Sequence, residues 1–379
     1  MNIRIIKIGM DVHSTNYTLC AMESKWNAPN ELIRMVQVEP KIKNIISFIE
    51  ELKEKLGKEI EITCAYEAGG LGTQIYRELD AQGIKCVIMA PTTMKRDAMK
   101  SKKKSDYRDA KEIAELLIGG GYSAVHVLSK ENEEIKEYIR MREDQVRRAK
   151  QTKQQINAFC LRKGHKFEGT KWTGKHRKWL KELELGTIER EALDEYLLSL
   201  EQDEERIEKA DRRIEELSMQ TEYVEKVKKL TCFLGIKTLT AMTCVVEVDD
   251  FNRFQTANDF ASFLGLVPGE HSSAETSVHM GITKAGNGHL RKAFVESADS
   301  ICKGQIGHKS KDLRKRQQGN SGEVIAYADK GNIRFRRKYY HMIHIGKERN
   351  IAVTAVAREL ACFVWGMMTN HYDRVPLAA

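Results

Sequence analysis

Residues 3–11, IRIIKIGMD, and residues 60–67, IEITCAYE, decide the fold of the N-terminal third. Each is a short apolar run that stops at an acid, Asp11 in the first and Glu67 in the second. Runs of that length with alternating or continuous apolar character read as strands. His13 to Glu23 reads as the hairpin partner of the first. A helix is expected over Lys41 to Leu56, another over Leu71 to Gln82 beyond Gly69-Gly70, and a third strand over Lys85 to Ala90 before Pro91. Strands alternating with helices predict an α/β domain with a partly parallel sheet over residues 1–128.

Open α/β sheets place their sites beyond the carboxyl ends of the strands. Asp11 and Glu67 converge there if their strands are neighbours. Asp106 and Asp109, in KSDYRDAKEIAELL, open an amphipathic helix, and their i, i+3 spacing puts them on one face. A strand-terminal Asp is commonly a turn former, and Asp106 is commonly an N-cap. Four acids gathered together resist ionisation unless cations neutralise them. Oxygen ligands favour Mg²⁺ or Mn²⁺, and such ions assist attack and departure at a phosphodiester. The pattern therefore points to phosphoryl transfer on nucleic acid. Lys100 and Lys102, Lys103 and Lys104 precede Asp106 and suit a phosphate backbone, although such a run alone is usually a solvated loop.

The rest of the chain differs in kind. Residues 129–230 contain no proline and are rich in Glu, Lys, Arg and Gln. Leu193, Leu200, Ile207 and Ile214 recur every seven residues, with Leu197, Ala210, Leu217 and Val224 between them. This predicts a long helical hairpin of coiled-coil character, which can join two chains or pack on its own domain. From Thr231 glycines return, and residues 231–379 read as a mainly helical domain ending in a helix from Ile351 to Asn370. The class is α/β plus all-α.

Within that last region, Pro268-Gly269 opens a loop carrying Ser272 and Ser273, and Asn287 caps the next helix. Lys284, His289, Arg291 and Lys292 surround that helix start, where free N–H groups and cations can bind phosphate. Paired serines are ordinary turn residues far more often than nucleophiles. LTCFLGIKTLTAMTCVVEV resembles a helix-hairpin-helix, with Lys237 where a second glycine is typical; DNA contact and plain helix packing are both open. Arg334 to Met342, RFRRKYYHM, interleaves bases with aromatics in a manner suited to a nucleic-acid strand, with Arg334, Arg336 and Arg337 as contacts, or to a solvated helix.

Composition bounds the alternatives. Of 379 residues 41% are hydrophobic, enough for ordinary cores, and the formal charge of +9 suits a polyanionic partner. The eight cysteines are scattered without a C-x-x-C, which favours a reducing, cytoplasmic setting over a disulfide framework. His341, His344, Cys160 and Cys302 offer no four-ligand zinc spacing. MNIRIIKIGM has strand pattern where a signal peptide has an apolar core. Ile351 to Met368, the best membrane candidate, is interrupted by Arg358 and Glu359, so no membrane span is expected.

IGMDVH, AYEAGG, SDYRDA, GLVPGEHSS with GITKAGNGHLRK after it, and AVARELACFVW together resemble, in order and spacing, the DEDD insertion-sequence transposases. Those join a RuvC-like (RNase H-like) N-terminal domain to a C-terminal serine transposase domain. The resemblance covers nearly the whole chain. It implies that Asp11, Glu67, Asp106 and Asp109 bind the catalytic metal ions and that Ser273, or Ser272 if the match slips by one, is a nucleophile joined covalently to DNA. It further implies donor and target double-stranded DNA, a structured noncoding guide RNA (a bridge RNA), and a homo-oligomer, dimer or tetramer, in which the acidic site and the serine can come from different subunits. Ala274 stands where a glycine often follows the serine pair, so the serine loop can be set differently. A metal-only RuvC-like nuclease, or a non-catalytic nucleic-acid-binding protein, is the alternative.

Overall fold

The computed structural model describes residues 4–25, 27–57, 60–94, 105–273 and 276–372, with side chains outside 270–280. The chain divides into two compact units, residues 1–127 and 128–379.

The first unit holds β1 (Arg4–Val12), β2 (Tyr17–Glu23), β3 (Glu31–Val38), α1 (Ile42–Leu56), β4 (Ile60–Glu67), α2 (Gln74–Asp80), β5 (Lys85–Met89) and α3 (Asp106–Gly119). The sheet order is β3-β2-β1-β4-β5, antiparallel among the first three strands and parallel from β1 through β4 to β5. Successive strand residues face opposite sides. Ile6, Ile8 and Met10 of β1 join Ile45, Phe48, Ile49 and Leu52 of α1 and Ile75 and Leu79 of α2 in one core. The i, i+3, i+4, i+7 spacing of the α1 residues is one helical face. The other side of the sheet meets α3, whose Ala110, Ile113, Ala114 and Leu117 repeat that spacing. α3 ends at Gly120, whose φ of 69° is left-handed.

β3 is not among the strands that the sequence pattern predicts. Its residues, ELIRMVQV, are half-buried or exposed, because it is an edge strand with little apolar alternation to betray it. His13 to Asn16 likewise precede β2 as a turn closed by His13 N–H donating to Asn16 O.

The second unit holds α4 (Lys130–Arg162), α5 (Gly174–Glu182), α6 (Thr187–Ser218), α7 (Thr221–Leu230), α8 (Thr238–Val248), α9 (Ala257–Phe263), β6 (Pro268–Ser273), β7 (Thr276–Ile282), α10 (Gly288–Cys302), α11 (Lys311–Gln317), α12 (Gly322–His344) and α13 (Arg349–Met368). α4 and α6 form the long hairpin. Leu193 and Leu200 pack with Ile156 and Phe159 of α4, with Leu197 and Ile207 beside them. Ile214 belongs instead to the main core, with Ile135 and Ile139 of α4 and residues from Tyr223 to Met367. The heptad stripe is thus covered by its own chain, and the 129–230 region shares one core with the region after it.

α13 is the centre of that core. By length and composition it could cross a membrane, but 72% of its apolar window is buried inside the unit. Its Glu359, fully buried, is paired with Arg334 and Lys338 of α12, which suits a core helix of this fold.

Candidate metal centre and serine hairpin

Gly9 lets α3 reach the sheet. A Cβ there would stand 2.1 Å from Ala110 O and 2.3 Å from Ala114 N, so only a hydrogen fits. Asp11 lies two residues on and therefore points to the α3 side. On the adjoining strand Ala65 packs with Ile113 and Leu117 of α3, so Glu67, two residues on, shares that side. The last registered pair of the two parallel strands is Met10–Tyr66, one residue short of both acids. Asp106 and Asp109 lie in the first turn of α3. Ser105 holds the N-cap position and makes no side-chain cap bond, so Asp106 is a helical residue free of capping duty.

Asp11, His13 and Asp106 each bring a ligand atom within 4.8 Å of the others. His13 Nε2 stands 3.2 Å from the buried Asp11 Oδ2, which has no further hydrogen-bond partner among the described residues. Gln37 of β3 donates to Asp106 Oδ2 at 3.1 Å and to the buried Thr18 Oγ1 at 3.3 Å. Burial raises the Asp11 carboxyl above its ordinary value. His13 draws it down, and Asp106 and Asp109 push it up again. A buried carboxylate oxygen beside further carboxylates and an imidazole is a donor set that fits a divalent cation. Sequence reasoning missed His13 and Gln37. The Asp-x-His spacing was the available signal for His13, since strand residues two apart share a face. Lys102, Lys103 and Lys104 lie outside the described residues.

In the second unit the expected serine loop is a hairpin. β6 and β7 pair antiparallel, Ser272 with Ser277 and Ser273 with Thr276. Backbone pairing overrides the turn character of the two serines. The base of the hairpin is closed by Thr283 N–H to Val267 O and Lys284 N–H to Gly265 O, at 2.9 and 3.2 Å. Gly265 and Gly286, with φ of 65° and 91°, permit this crossing, since a Cβ on either would strike a carbonyl about 2 Å away. Asn287 caps α10 as expected, accepting from Leu290 N–H at 3.0 Å. Its amide donates to Glu247 of α8 at 2.8 Å, and Arg140 of α4 grips the same buried carboxylate with two bonds.

A family model described as DEDD_Tnp_IS110, Transposase, matches residues 8–163. A second, described as Transposase IS116/IS110/IS902 family, matches residues 227–313. Transposase y4qE of Sinorhizobium fredii is 30% identical over 95% of this chain and 87% of its own length. The chain belongs to the DEDD insertion-sequence transposases. The transposase for insertion sequence element IS1533 of Leptospira borgpetersenii is 30% identical over 89% of this chain and 97% of its own. Thermus thermophilus RuvC matches 32% of this chain and 99% of its own with a TM-score of 0.24 and 13% identity; so distant a likeness carries no argument.

The cationic residues of the transposase divide by environment. Lys237, at the N-cap of α8, and Lys284 are exposed. Arg291 donates to Leu264 O at 2.9 Å. His289 and Lys292 both face Glu143 of α4, at 2.6 and 3.7 Å. The helix-hairpin-helix-like turn between α7 and α8 is held by its own unit: Leu234 N–H donates to Asn332, and Arg316 binds the carbonyls of Thr231 and Ile236, both at 2.6 Å. On α12, Arg337 is exposed, whereas Arg336 is 5% exposed and donates to the carbonyls of Ile301, Gln305 and His308. Arg336 is therefore a core tether, which corrects its place among the nucleic-acid contacts. Adjacent helix positions lie about 100° apart, so RFRRKYYHM cannot present one face.

Proposed function

We propose that this transposase cuts and rejoins donor and target DNA by divalent-metal-assisted phosphoryl transfer at Asp11, Glu67, Asp106 and Asp109, with Ser273 as the nucleophile. The observation that carries the reading is the buried Asp11 Oδ2, whose neighbours on this side are His13 and the Asp106 carboxylate at the start of α3. Asp11 and Glu67 come from adjacent strand ends, and Asp106 and Asp109 from one helical turn. All four sit on elements held by core packing, which keeps ligand geometry fixed. Gln37 holds Asp106 in its rotamer. A bound Mg²⁺ or Mn²⁺ would supply charge stabilisation at the phosphoryl oxygens.

Ser273, at the last paired position of β6, attacks phosphorus through Oγ and displaces a deoxyribose hydroxyl, so the strand stays joined to protein until it is passed on. The two motifs lie more than 160 positions apart in sequence, and a homo-oligomer, dimer or tetramer, is the natural setting in which both act on the DNA. A structured guide RNA choosing both DNA partners is the reading that the family membership favours. The test is a cleavage reaction on the element's own ends. Covalent protein–DNA adducts are expected from the wild type, none from Ser273→Ala, and no cleavage from Asp11→Asn. Adducts at wild-type level from Ser273→Ala shift the nucleophile to Ser272 or elsewhere. Free, hydrolysed ends instead of rejoined strands identify a metal-only nuclease. Sequencing RNA that co-purifies from cells carrying the whole element tests the guide, and random cellular RNA counts against it.

A further inference from the structure

One flank of α12, beside its core face, forms a cleft of about 830 Å³ with α13. Lys330, Arg334, Arg337, Lys338 and His341 line it, at the i, i+4, i+7, i+8 and i+11 positions of one helical face. Among the described residues the only acid in the lining is Glu359 of α13, fully buried at the floor. It pairs with Arg334 and stands 3.4 Å from Lys338 Nζ. One carboxylate thus fixes two cations, and Lys330 and Arg337 remain as exposed charges at the mouth. Four cations against one buried anion leave the concavity strongly positive, where field lines are focused rather than dispersed.

We infer that this cleft seats the phosphate backbone of duplex DNA without reading its sequence, a proposal that rests on the DNA-acting reading above and adds a place of contact. Three observations select that occupant. The cationic face runs from Lys330 to His341, about 16 Å of helix, the length of roughly five base steps along a duplex. Among the described residues no Phe, Tyr or Trp lines the cleft, and single-strand binding relies on such stacking platforms. Tyr340, which a strand-gripping reading of RFRRKYYHM would use, donates its hydroxyl to Gly304 O instead. Among the described residues no Asn or Gln lines it either, so the bidentate reading of adenine has no donor among them.

The test measures duplex binding by fluorescence anisotropy, using the full-length protein and a labelled 30-base-pair DNA of arbitrary sequence between 50 and 200 mM NaCl. Each lost phosphate contact lowers the salt slope by about 0.9. Lys330→Gln with Arg337→Gln should therefore flatten the slope by about 2, so that the loss of affinity across this salt range is about tenfold smaller than in the wild type. Both side chains reach solvent, and an unchanged melting temperature verifies folding. Arg206→Gln with Arg212→Gln on the exposed side of α6 removes equal charge elsewhere and should leave the slope as it was. A wild-type slope in the Lys330/Arg337 double variant, with binding intact, overturns the cleft and leaves the DNA-acting reading standing. An equal flattening in the α6 pair overturns it also, by showing net charge alone at work. A change seen only with a structured RNA overturns duplex DNA as the occupant. Absence of duplex binding by the wild type overturns both the cleft and the functional reading beneath it.

Discussion

Substituting Gly9 by alanine tests how the site is assembled without touching any proposed ligand. The added Cβ would lie 2.1 Å from Ala110 O and 2.3 Å from Ala114 N, both backbone atoms of α3. Ordinary contact begins near 3.4 Å, so α3 must withdraw by about 1 Å or more. The helix cannot turn a side chain aside, because the obstacle is its own main chain. Overpacking of this kind costs about 1–3 kcal/mol. Asp106 and Asp109 ride on the first turn of that helix and would move with it, away from Asp11. A shift of about 1 Å in reacting geometry costs on the order of a hundredfold in rate. The assay pairs thermal melting with single-turnover cleavage of a terminal-end substrate at saturating Mg²⁺. A modest fall in melting temperature with a loss near a hundredfold in cleavage is expected. Because the sheet and α1 side of the core are untouched, far-UV circular dichroism should not change. Cleavage at the wild-type rate in a folded Gly9→Ala protein would refute the contact of α3 with β1 as the device that sets the site.

Further predictions rest on single features. In metal-free protein Asp11→Asn should raise the melting temperature at pH 7–8, because a carboxyl whose folded pKa is raised stabilises only while protonated and loses that contribution as pH rises through the folded value. The gain should shrink as pH falls toward the carboxylate range, and added Mg²⁺ should stabilise the wild type and not the variant; the same metal response in both sinks the ligand assignment. His176, buried beside Trp172 and Trp179, has its pKa lowered first by burial and then by Lys171 and Arg177. Its stabilisation is complete above about pH 6.5 and lost as pH falls toward the folded value. Tryptophan fluorescence should report loosening of this cluster on acidification, and the same transition in His176→Leu would assign it elsewhere. Arg316→Ala strips a charged donor from the carbonyls of Thr231 and Ile236 and should cost about 2–3 kcal/mol in urea titration, with Arg316→Lys recovering only part of it.

The elements that could be read from the sequence are those whose signal is local. β1, α1, β4, β5 and α13 each carry an apolar period of their own, and their ends fall within a few residues of the expected positions, while α3 begins at Asp106 as expected. The three acidic motifs were visible because each acid closes a strand or opens a helix, a feature of neighbours in sequence. β3 carries no such period, since an edge strand with one side in solvent need not be apolar. Its Gln37 nevertheless reaches Asp106 across 69 positions, and no pattern within ELIRMVQV encodes that partner.

The same division explains the cationic residues. Arg334, Arg336 and Arg337 look alike in sequence, yet one pairs with a buried acid, one tethers three carbonyls and one faces solvent. The difference is a rotation of about 100° per residue, fixed by which side of α12 carries Val324, Tyr327, Ala328 and Phe335 into the core. Had helical phase been applied to that stretch, the apolar residues would have set the buried side and placed Arg336 with Asn332 and Phe335. Lys330, Arg334, Arg337, Lys338 and His341 would have emerged as one face. What phase cannot supply is Glu359, whose position on α13 decides how much of that face's charge is already neutralised before any DNA arrives.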